Sequence, residues 1–319
     1  MKTRTILALV GIATILTGCF KEEFAFCPPD MNVTLHFRLP DPATRQGDTF
    51  LNDISTVTTV IYDDATGALV RTIVTNDADH RVFKGLHLSL AAGTYRVVSW
   101  GNSGNGTKFN ALDTPYNNYS WLDYTDIRDN KTGNGDALYY AHHAGTATGA
   151  DDEYTMTVDP STGHEGTLDF HHAHRRIEIY VKGFSASGSN TPLIRLSGLP
   201  TGLSFLGMRP HTSSDRVTSE LASQMVTVGA SRAAAGAYAL SPFNVFYLNT
   251  GDYDIGVGLL DPVTGDSVYT TRLNEHIDPL TDNPDNKMVL QLLIEFIGVE
   301  VKVSVPEWKS EDVDYGWWD

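Results

Sequence analysis

The chain has 319 residues, and its 39 Asp and Glu outnumber its 23 Lys and Arg, which gives a formal net charge of −16 at pH 7. An acidic surface repels phosphate backbones, so the composition excludes nucleic acid as an expected partner. The length allows two domains of ordinary size, and the 41% hydrophobic content is enough for a packed core in both.

The first 18 residues have the zones of a bacterial signal peptide. Lys2 and Arg4 supply positive charge, and an apolar run follows from Ile6 to Leu16. This run is shorter than the roughly 20 residues that a spanning helix needs, so we predict a segment that is removed after export. Its end, Leu16-Thr17-Gly18-Cys19, resembles a bacterial lipobox. The resemblance implies cleavage before Cys19 and a diacylglyceryl lipid (with palmitate-type acylation) on its thiol.

Residues 19–30 are predicted to form a tether between this lipid and the folded protein. Lys21, Glu22 and Glu23 follow the cysteine and resemble the export signal of surface lipoproteins of the Bacteroidetes, although a solvated charged tether explains them equally well. We therefore expect an outer-membrane, lipid-anchored, surface-exposed protein. With Cys19 carrying lipid, Cys27 has no cysteine partner, and small apolar packing is its expected role.

The mature chain then alternates apolar and polar residues with a period of two. Val33 to Leu39 is typical of a half-buried strand, and residues 55–75 predict a hairpin around the turn Asp63–Gly67. Val82 to Leu90 predicts a further strand, Ala91-Ala92-Gly93 a turn, and Tyr95 to Trp100 a returning strand. Arg216–Met225 is the best helix candidate in a chain that otherwise lacks helical periodicity.

Residues 101–136 are rich in Gly, Asn and Asp and predict a long decorated loop. Four aromatic residues of this segment are candidate contacts for a glycan or a partner protein: Tyr116, Tyr119, Trp121 and Tyr124. Such side chains stack on sugar rings or seat a partner when they are exposed. The alternative is that they pack back over the first domain.

The composition shifts near residues 159–168, where we place a domain boundary. The chain is therefore predicted to contain a signal peptide (1–18), a lipidated tether (19–30), an N-terminal β-sandwich domain (31–165) and a C-terminal β-sandwich domain (166–319). Short strands at intervals of about ten residues favour this all-β class.

Catalytic, metal and cofactor sites are not expected. His171, His172 and His174 cluster on one predicted strand, with His172 and His174 on the same face, but a polar patch between domains explains them better than a metal site. The glycine-rich segment 101–106 lacks the strand-to-helix elbow of a serine nucleophile. We therefore predict a protein that is not an enzyme.

The C-terminal region predicts two closing strands, over residues 288–296 and 299–305. Val299, Val301, Val303 and Val305 share one face of the second strand. This strand is a candidate for exchange with a neighbouring subunit. The simpler alternative, which we favour, is that it is the last strand of the second domain.

Five segments together resemble the fimbrial anchoring-subunit family of the Bacteroidetes, the lipoprotein subunits of major and minor fimbriae. They are the lipobox, Cys27-Pro28-Pro29 with the strand that follows, Ile61–Leu69, Leu90–Asn102 and Arg175–Val181. The resemblance implies two tandem transthyretin-like β-sandwich domains and no enzyme activity. It also implies that the protein binds fimbrial structural or accessory subunits, holds the fibre on the outer membrane and limits its length.

Fibres of this class are thought to grow when one subunit adds a strand to the sheet of the next. We hypothesise that the tethered strand Val33–Leu39 stays in place, so that its groove is never vacant and growth stops here. The alternative function is a glycan-binding surface lipoprotein associated with nutrient uptake, with the aromatic residues of the 101–136 segment as its platform.

Overall fold

The computed structural model describes residues 31–40, 47–110, 121–129, 131–143, 154–204, 216–228, 236–246, 248, 254–277, 289–306 and 313–314. Its fold is all-β, as the sequence predicts. The transthyretin-like relationship and the tandem arrangement remain predictions. In the described ranges, no helix is long and apolar enough to cross a membrane.

The described strands of the first half are β1 (Val33–Arg38), β2 (Thr56–Asp63), β3 (Leu69–Asn76), β4 (Gly85–Leu88), β5 (Gly93–Gly101), β6 (Thr107–Asn110), β7 (Trp121–Tyr124), β8 (Lys131–Thr132), β9 (Tyr139–His143), β10 (Tyr154–Val158) and β11 (His164–His172). Two short helices are α1 (Phe50–Asp53) and α2 (Asp77–Val82).

The second half contains β12 (His174–Lys182), β13 (Leu193–Pro200), β14 (Gly202–Ser204), β15 (Arg216–Ala222), β16 (Gln224–Val228), β17 (Gly236–Phe246), β18 (Gly256–Leu260), β19 (Ser267–Arg272), β20 (Val289–Ile297), β21 (Glu300–Ser304) and β22 (Val313–Asp314). One turn of 3-10 helix covers Leu273–Glu275.

The first half forms an eight-stranded sheet in the order β3-β2-β5-β9-β11-β1-β4, with β10 also paired to β5. One hydrophobic core joins residues of β2 to residues of β4, near opposite ends of this order, so the sheet curls around its own core. The predicted hairpin 55–75 is present as β2 and β3. Asp63 closes its turn by accepting the Thr66 N–H at 2.8 Å, and Gly67 has a φ of +68°.

The second half forms a six-stranded sheet, β21-β20-β12-β17-β16-β22, and a five-stranded sheet, β19-β18-β13-β15-β8. Alternating residues of β12, β13, β18 and β20 fill one core between these sheets. The helix predicted over Arg216–Met225 is wrong, because this segment forms β15 and the start of β16. Val217 and Ser219 of β15 alternate into the protein with the strand period of two, and both are buried.

The segment 101–136 is more structured than the predicted decorated loop. It contains β6, β7 and β8, and two of these pair with the second half: β7 with β14 and β8 with β15. Asp136 fixes one end, since its carboxylate accepts the Gly106 N–H at 2.7 Å and the Thr107 hydroxyl at 2.6 Å. The segment therefore joins the two halves of the chain.

The predicted domain boundary at 165/166 falls inside β11. This strand pairs with β1 and β9 of the first sheet. The chain changes sheets at Ala173, whose N–H donates to the Leu138 carbonyl at 2.8 Å. The division into two domains stays a prediction, and β11 belongs to the first sheet along its whole length.

Candidate functional site

The N-terminal strand β1 is bonded along both of its edges. It pairs in parallel with β11 from Val33 to Arg38, opposite His164 to Asp169. It also pairs in antiparallel fashion with β4 from Val33 to His36. The position in the sheet that β1 fills therefore has hydrogen-bonding partners on each side.

One face of β1 forms part of the core. The side chains of Val33, Leu35, Phe37 and Leu39 are 0–2% exposed. The Phe37 ring centroid lies 5.5 Å from that of Phe170 and 5.6 Å from that of Phe50. Burying an aliphatic or aromatic side chain contributes about 1.5–3 kcal/mol. Removing β1 would therefore expose a long apolar groove.

The other face of β1 carries polar contacts to β11. Arg38 donates from Nε and Nη2 to the two carboxylate oxygens of Asp169, each at 2.6 Å. The Asp169 side chain is only 6% exposed, whereas that of Arg38 is 46% exposed. His36 lies 3.1 Å from Glu165 at the surface. The two-point pair fixes the register of β1 on β11.

The C-terminal end of β1 is held by Asp48. Its Oδ1 accepts the backbone N–H groups of Leu39 at 3.0 Å and Phe50 at 3.1 Å, and Lys84 pairs with its Oδ2. Burial acts to raise the pKa of Asp48, but the Lys84 ammonium and the two backbone donors outweigh it, so the pKa lies below its ordinary value. Asp48 thus stays charged and joins β1 to α1 and to the start of β4.

The N-terminal end of β1 is held by Asn32. Its side chain donates to the Leu90 carbonyl at 2.8 Å and accepts the Leu90 N–H at 3.0 Å. Its backbone carbonyl accepts the His164 N–H at 2.8 Å. The chain therefore enters β1 at a fixed point on the sheet.

Glycine at position 85 permits the close approach of β4 to β1. A Cβ atom there would clash with the carbonyl oxygen of Leu35, and it would lie 2.6 Å from the Phe83 ring. Any larger residue would push β4 away from β1. Glycine at this position thus allows β4 to remain paired with β1.

The predicted lipidation and export residues, Cys19, Lys21, Glu22 and Glu23, lie outside the described residues. The last of them is ten positions before Val33, the first residue of β1. Extended chain spans at most about 3.3–3.6 Å per residue. A lipid on Cys19 would therefore hold β1 within about 50 Å of the membrane surface.

Among the described strands, the predicted exchange strand lies at the edge of its sheet. β21 pairs with β20, from Glu300 opposite Ile297 to Ser304 opposite Leu293. Val301 and Val303 pack against the core between the two sheets of the second half, whereas Val299 and Val305 are 102% and 46% exposed. In the chain, β21 is followed by the short strand β22 at the other end of the same sheet. Strand exchange stays a prediction.

The predicted aromatic platform is not formed by Tyr124. This residue is 1% exposed, and its ring centroid lies 4.4 Å from that of Phe246 in the second half. Its hydroxyl accepts the Phe246 N–H at 3.4 Å, and burial raises the pKa of Tyr124. Tyr124 is therefore a core residue rather than a glycan contact. Tyr116, Tyr119 and the Trp121 side chain lie outside the described part of the structure.

The predicted histidine cluster lies where β11 meets β12. The rings of His172 and His174 are 5.9 Å apart, and each contacts Tyr139. Burial, followed by nearby positive groups, lowers the pKa of His172 to about 3. Burial likewise lowers that of His174 to about 4. Among the described residues, no three His, Cys, Asp or Glu side chains are grouped to hold a metal ion.

Sequence reasoning missed the ion pair that fixes β1. Arg38 and Asp169 are 131 positions apart, and their opposite charges were the only signal. Such a pair is found only when the register of β1 on β11 is known.

Comparison with known proteins decides the family. A model of fimbrillin-A associated anchor proteins Mfa1 and Mfa2 matches residues 26–314. The chain belongs to this family. The resemblance found in the sequence is thereby confirmed. No curated protein sequence matches significantly.

Solved structures share the fold. The fimbrial anchor protein Mfa2 of Porphyromonas gingivalis is 13% identical, with a TM-score of 0.59 over 86% of this chain and 94% of that one. A candidate adhesin of Bacteroides ovatus is 13% identical, with a TM-score of 0.61 over 89% and 96%. A candidate adhesin of Bacteroides thetaiotaomicron is 13% identical, with a TM-score of 0.60 over 87% and 97%.

Membership in the Mfa2 family supports a fimbria-associated or adhesin role and association with other fimbrial subunits. The family is one of structural fimbrial proteins and is not an enzyme family.

Proposed function

We propose that this Mfa2-family protein anchors a fimbrial fibre to the outer membrane through lipid on Cys19 and limits the length of the fibre. The observation that carries the proposal is the seating of β1, which has bonded neighbours on both edges and a buried apolar face. A subunit whose groove is filled by its own strand accepts no strand from another subunit. Growth by strand addition therefore ends at this subunit.

The sequence supports the tether. The signal peptide, the small residues before Cys19 and the cysteine itself occur in the order of a lipoprotein processing site. One acyl chain gives only marginal membrane binding, whereas two or three hold a protein stably. The net charge of −16 opposes adsorption to anionic lipid headgroups, so attachment depends on the covalent lipid.

The two cysteines of the chain give a matched test of the tether. A Cys19→Ala variant should lose palmitate label, leave the membrane fraction and release fibres into the medium. The Cys27→Ala variant should keep the palmitate label, remain in the membrane fraction and hold its fibres on the cell. The anchoring role is wrong if Cys19→Ala cells retain labelled protein and attached fibres. Fibre length by electron microscopy should increase in cells that lack the protein.

A disulfide between β1 and β11 tests whether β1 stays in place. Thr34 and Glu165 are paired positions at the surface of these strands. Their double replacement by cysteine, on the Cys27→Ala background, would lock β1 in its groove. Locked protein should attach fibres of normal length. If attachment is lost and a reducing agent restores it, β1 must leave during assembly and the proposal fails.

A further inference from the structure

A groove of about 610 Å³ crosses the outer face of the five-stranded sheet, over β13, β18 and β19. The inner face of the same strands is core, and Ile194, Leu196, Val257 and Leu259 are 0–1% exposed. Residues between them point outward because side chains alternate along a strand. The groove is thus separate from the β1 site and from the β21 edge.

Two glycines of β18 form the floor of the groove. Gly256 lies between Ser197 and Arg272, and Gly258 lies between Arg195 and Thr270. The central strand therefore presents only backbone, and side chains rise from the strands on either side. With strands about 4.8 Å apart, the two walls are about 10 Å apart. Gly256 is half-buried on this floor and Gly258 is buried, so the backbone of β18 is open to a ligand at Gly256.

Packing within the protein does not explain both glycines. A Cβ at Gly256 would clash with the Ser197 hydroxyl oxygen. A Cβ at Gly258 would lie 3.6 Å from the Cβ of Arg195, an ordinary van der Waals contact, and this glycine has no positive φ. A Cβ thus has room at position 258, where it would narrow the groove.

Two arginines line opposite walls of the groove. Arg195 donates through Nε to Glu220 at 2.7 Å, and no other described residue accepts from its terminal amino groups. Arg272 donates through Nη1 to Asp254, and within the described ranges its Nη2 group has no acceptor. A guanidinium held on one side by a carboxylate is oriented and presents its remaining donors to an incoming carboxylate.

The remaining lining decides the class of ligand. Asp254 and Glu275 balance the charges of the two arginines, and Ser197, Ser267 and Thr270 add hydroxyl groups. Among the described residues that line the groove, none is aromatic. This lining suits a molecule that carries isolated carboxylates among many hydroxyls. An acidic peptide without hydroxyl groups would offer no side-chain donors to Asp254 and Glu275.

We propose that this groove binds an acidic saccharide, with a sugar carboxylate on Arg195 or Arg272 and sugar hydroxyls donating to Asp254 and Glu275. The volume lies within the range of ligand sites, about 300–1,000 Å³, and fits an oligosaccharide rather than a single small ion. The site does not depend on the proposed anchoring function, because neither β1 nor the tether contributes to it.

Calorimetric titration of the full-length protein in detergent with trigalacturonate tests the proposal. Saturable binding is expected, with at least tenfold weaker binding of the methyl ester, which keeps the hydroxyls but removes the charges. Arg195→Gln and Arg272→Gln should each weaken binding about tenfold. Arg71→Gln, at an exposed arginine of β3 outside the groove, should leave it unchanged.

A Gly258→Ala variant tests the groove itself. It should weaken binding while the thermal midpoint of unfolding stays near that of the parent protein, since a Cβ has room at this position. The proposal is overturned by three outcomes. They are no trigalacturonate binding up to millimolar concentration, equal binding by the arginine variants, or equal or tighter binding of triglutamate, which would indicate an acidic-peptide site. Fibre attachment should be normal in every groove variant.

Discussion

Arg38 and Asp169 join β1 to β11 through two hydrogen bonds of 2.6 Å that run from one guanidinium to one carboxylate. The carboxylate is almost fully buried, and the guanidinium is about half exposed. Removing Arg38 would leave a buried charge without its main partner. The pair therefore fixes the register of β1 on β11, and a substitution in the pair should weaken the attachment of β1 to the sheet.

Replacing Asp169 by Asn should lower the free energy of unfolding by about 1–2 kcal/mol, since charged hydrogen bonds contribute about 1.5–3 kcal/mol and partial exposure screens this pair. Urea denaturation measures the loss. Asp126→Asn is the matched control, because its ion pair with Arg128 is long, at 3.8 Å, and both side chains are exposed. An equal loss of unfolding free energy in the two variants would show that the Arg38–Asp169 pair stabilises the protein no more than an exposed ion pair does.

Replacing Gly85 by Ala should destabilise the protein by about 2–4 kcal/mol, because the new methyl group has no space between β4 and the Leu35 carbonyl oxygen. Proteolysis should then cut within residues 31–38 faster than in the parent protein. Gly133→Ala is the control, since nothing lies within 4 Å of a Cβ built there. Unchanged stability of the Gly85→Ala variant would refute the close approach of the two strands.

Replacing Tyr124 by Ala should cost about 3–5 kcal/mol of unfolding free energy, as expected for a large aromatic side chain in a core. Tyr124→Phe should cost only about 1 kcal/mol, because its hydroxyl makes one long hydrogen bond, 3.4 Å, to the Phe246 N–H. Thermal and urea denaturation distinguish the two. If Tyr124→Ala retained full stability, the residue would not belong to the core that joins the two halves.

Stability should fall as the pH falls from about 6.5 towards 3. The pKa values of His172 and His174, about 3 and about 4, lie below the ordinary value of 6.5, so the unfolded chain binds more protons in this window. Their contribution is complete above pH 6.5 and decreases by up to about 1.4 kcal/mol per pH unit for each group.

The double variant His172→Gln/His174→Gln should show a shallower decline than the parent protein in urea denaturations between pH 7 and pH 4. His87→Gln, at an exposed ring stacked on Phe83, is the control for replacing a histidine at the surface. Parallel curves for the parent and the double variant would mean that neither buried imidazole governs the acid response.

The sequence predicts strands well where the apolar alternation is long. Val33 to Leu39 alternates over a full strand, and the hairpin at Asp63–Gly67 has a turn with its own hydrogen bonds; both are present. The strands β6, β7 and β8 have only two to four residues, too few for a period to be visible. Their segment is therefore predicted as loop, and Tyr124 as either a surface contact or a residue that packs over the first domain.

Partners distant in the chain could not be predicted. The alternation of Val33, Leu35 and Phe37 indicates a buried face but does not say that β11 lies alongside, 131 positions away. The same limit explains the misassigned helix at Arg216–Met225, whose strand pairing depends on β13 and β8. The groove over β18 forms only when β13, β18 and β19 are paired in register. The sequence alone therefore does not show that its glycines and arginines lie together.

The single residue Ala173 separates β11 from β12, so one nearly continuous run of extended chain crosses from the first sheet into the second. β1 lies parallel to β11, so the start of β1 lies beside the start of β11, opposite the end at which the chain leaves β11 for β12. A force that pulls residue 31 away from residue 182 therefore acts lengthwise along both strands. All the ladder bonds between them would resist it in shear at the same moment, instead of unzipping one after another.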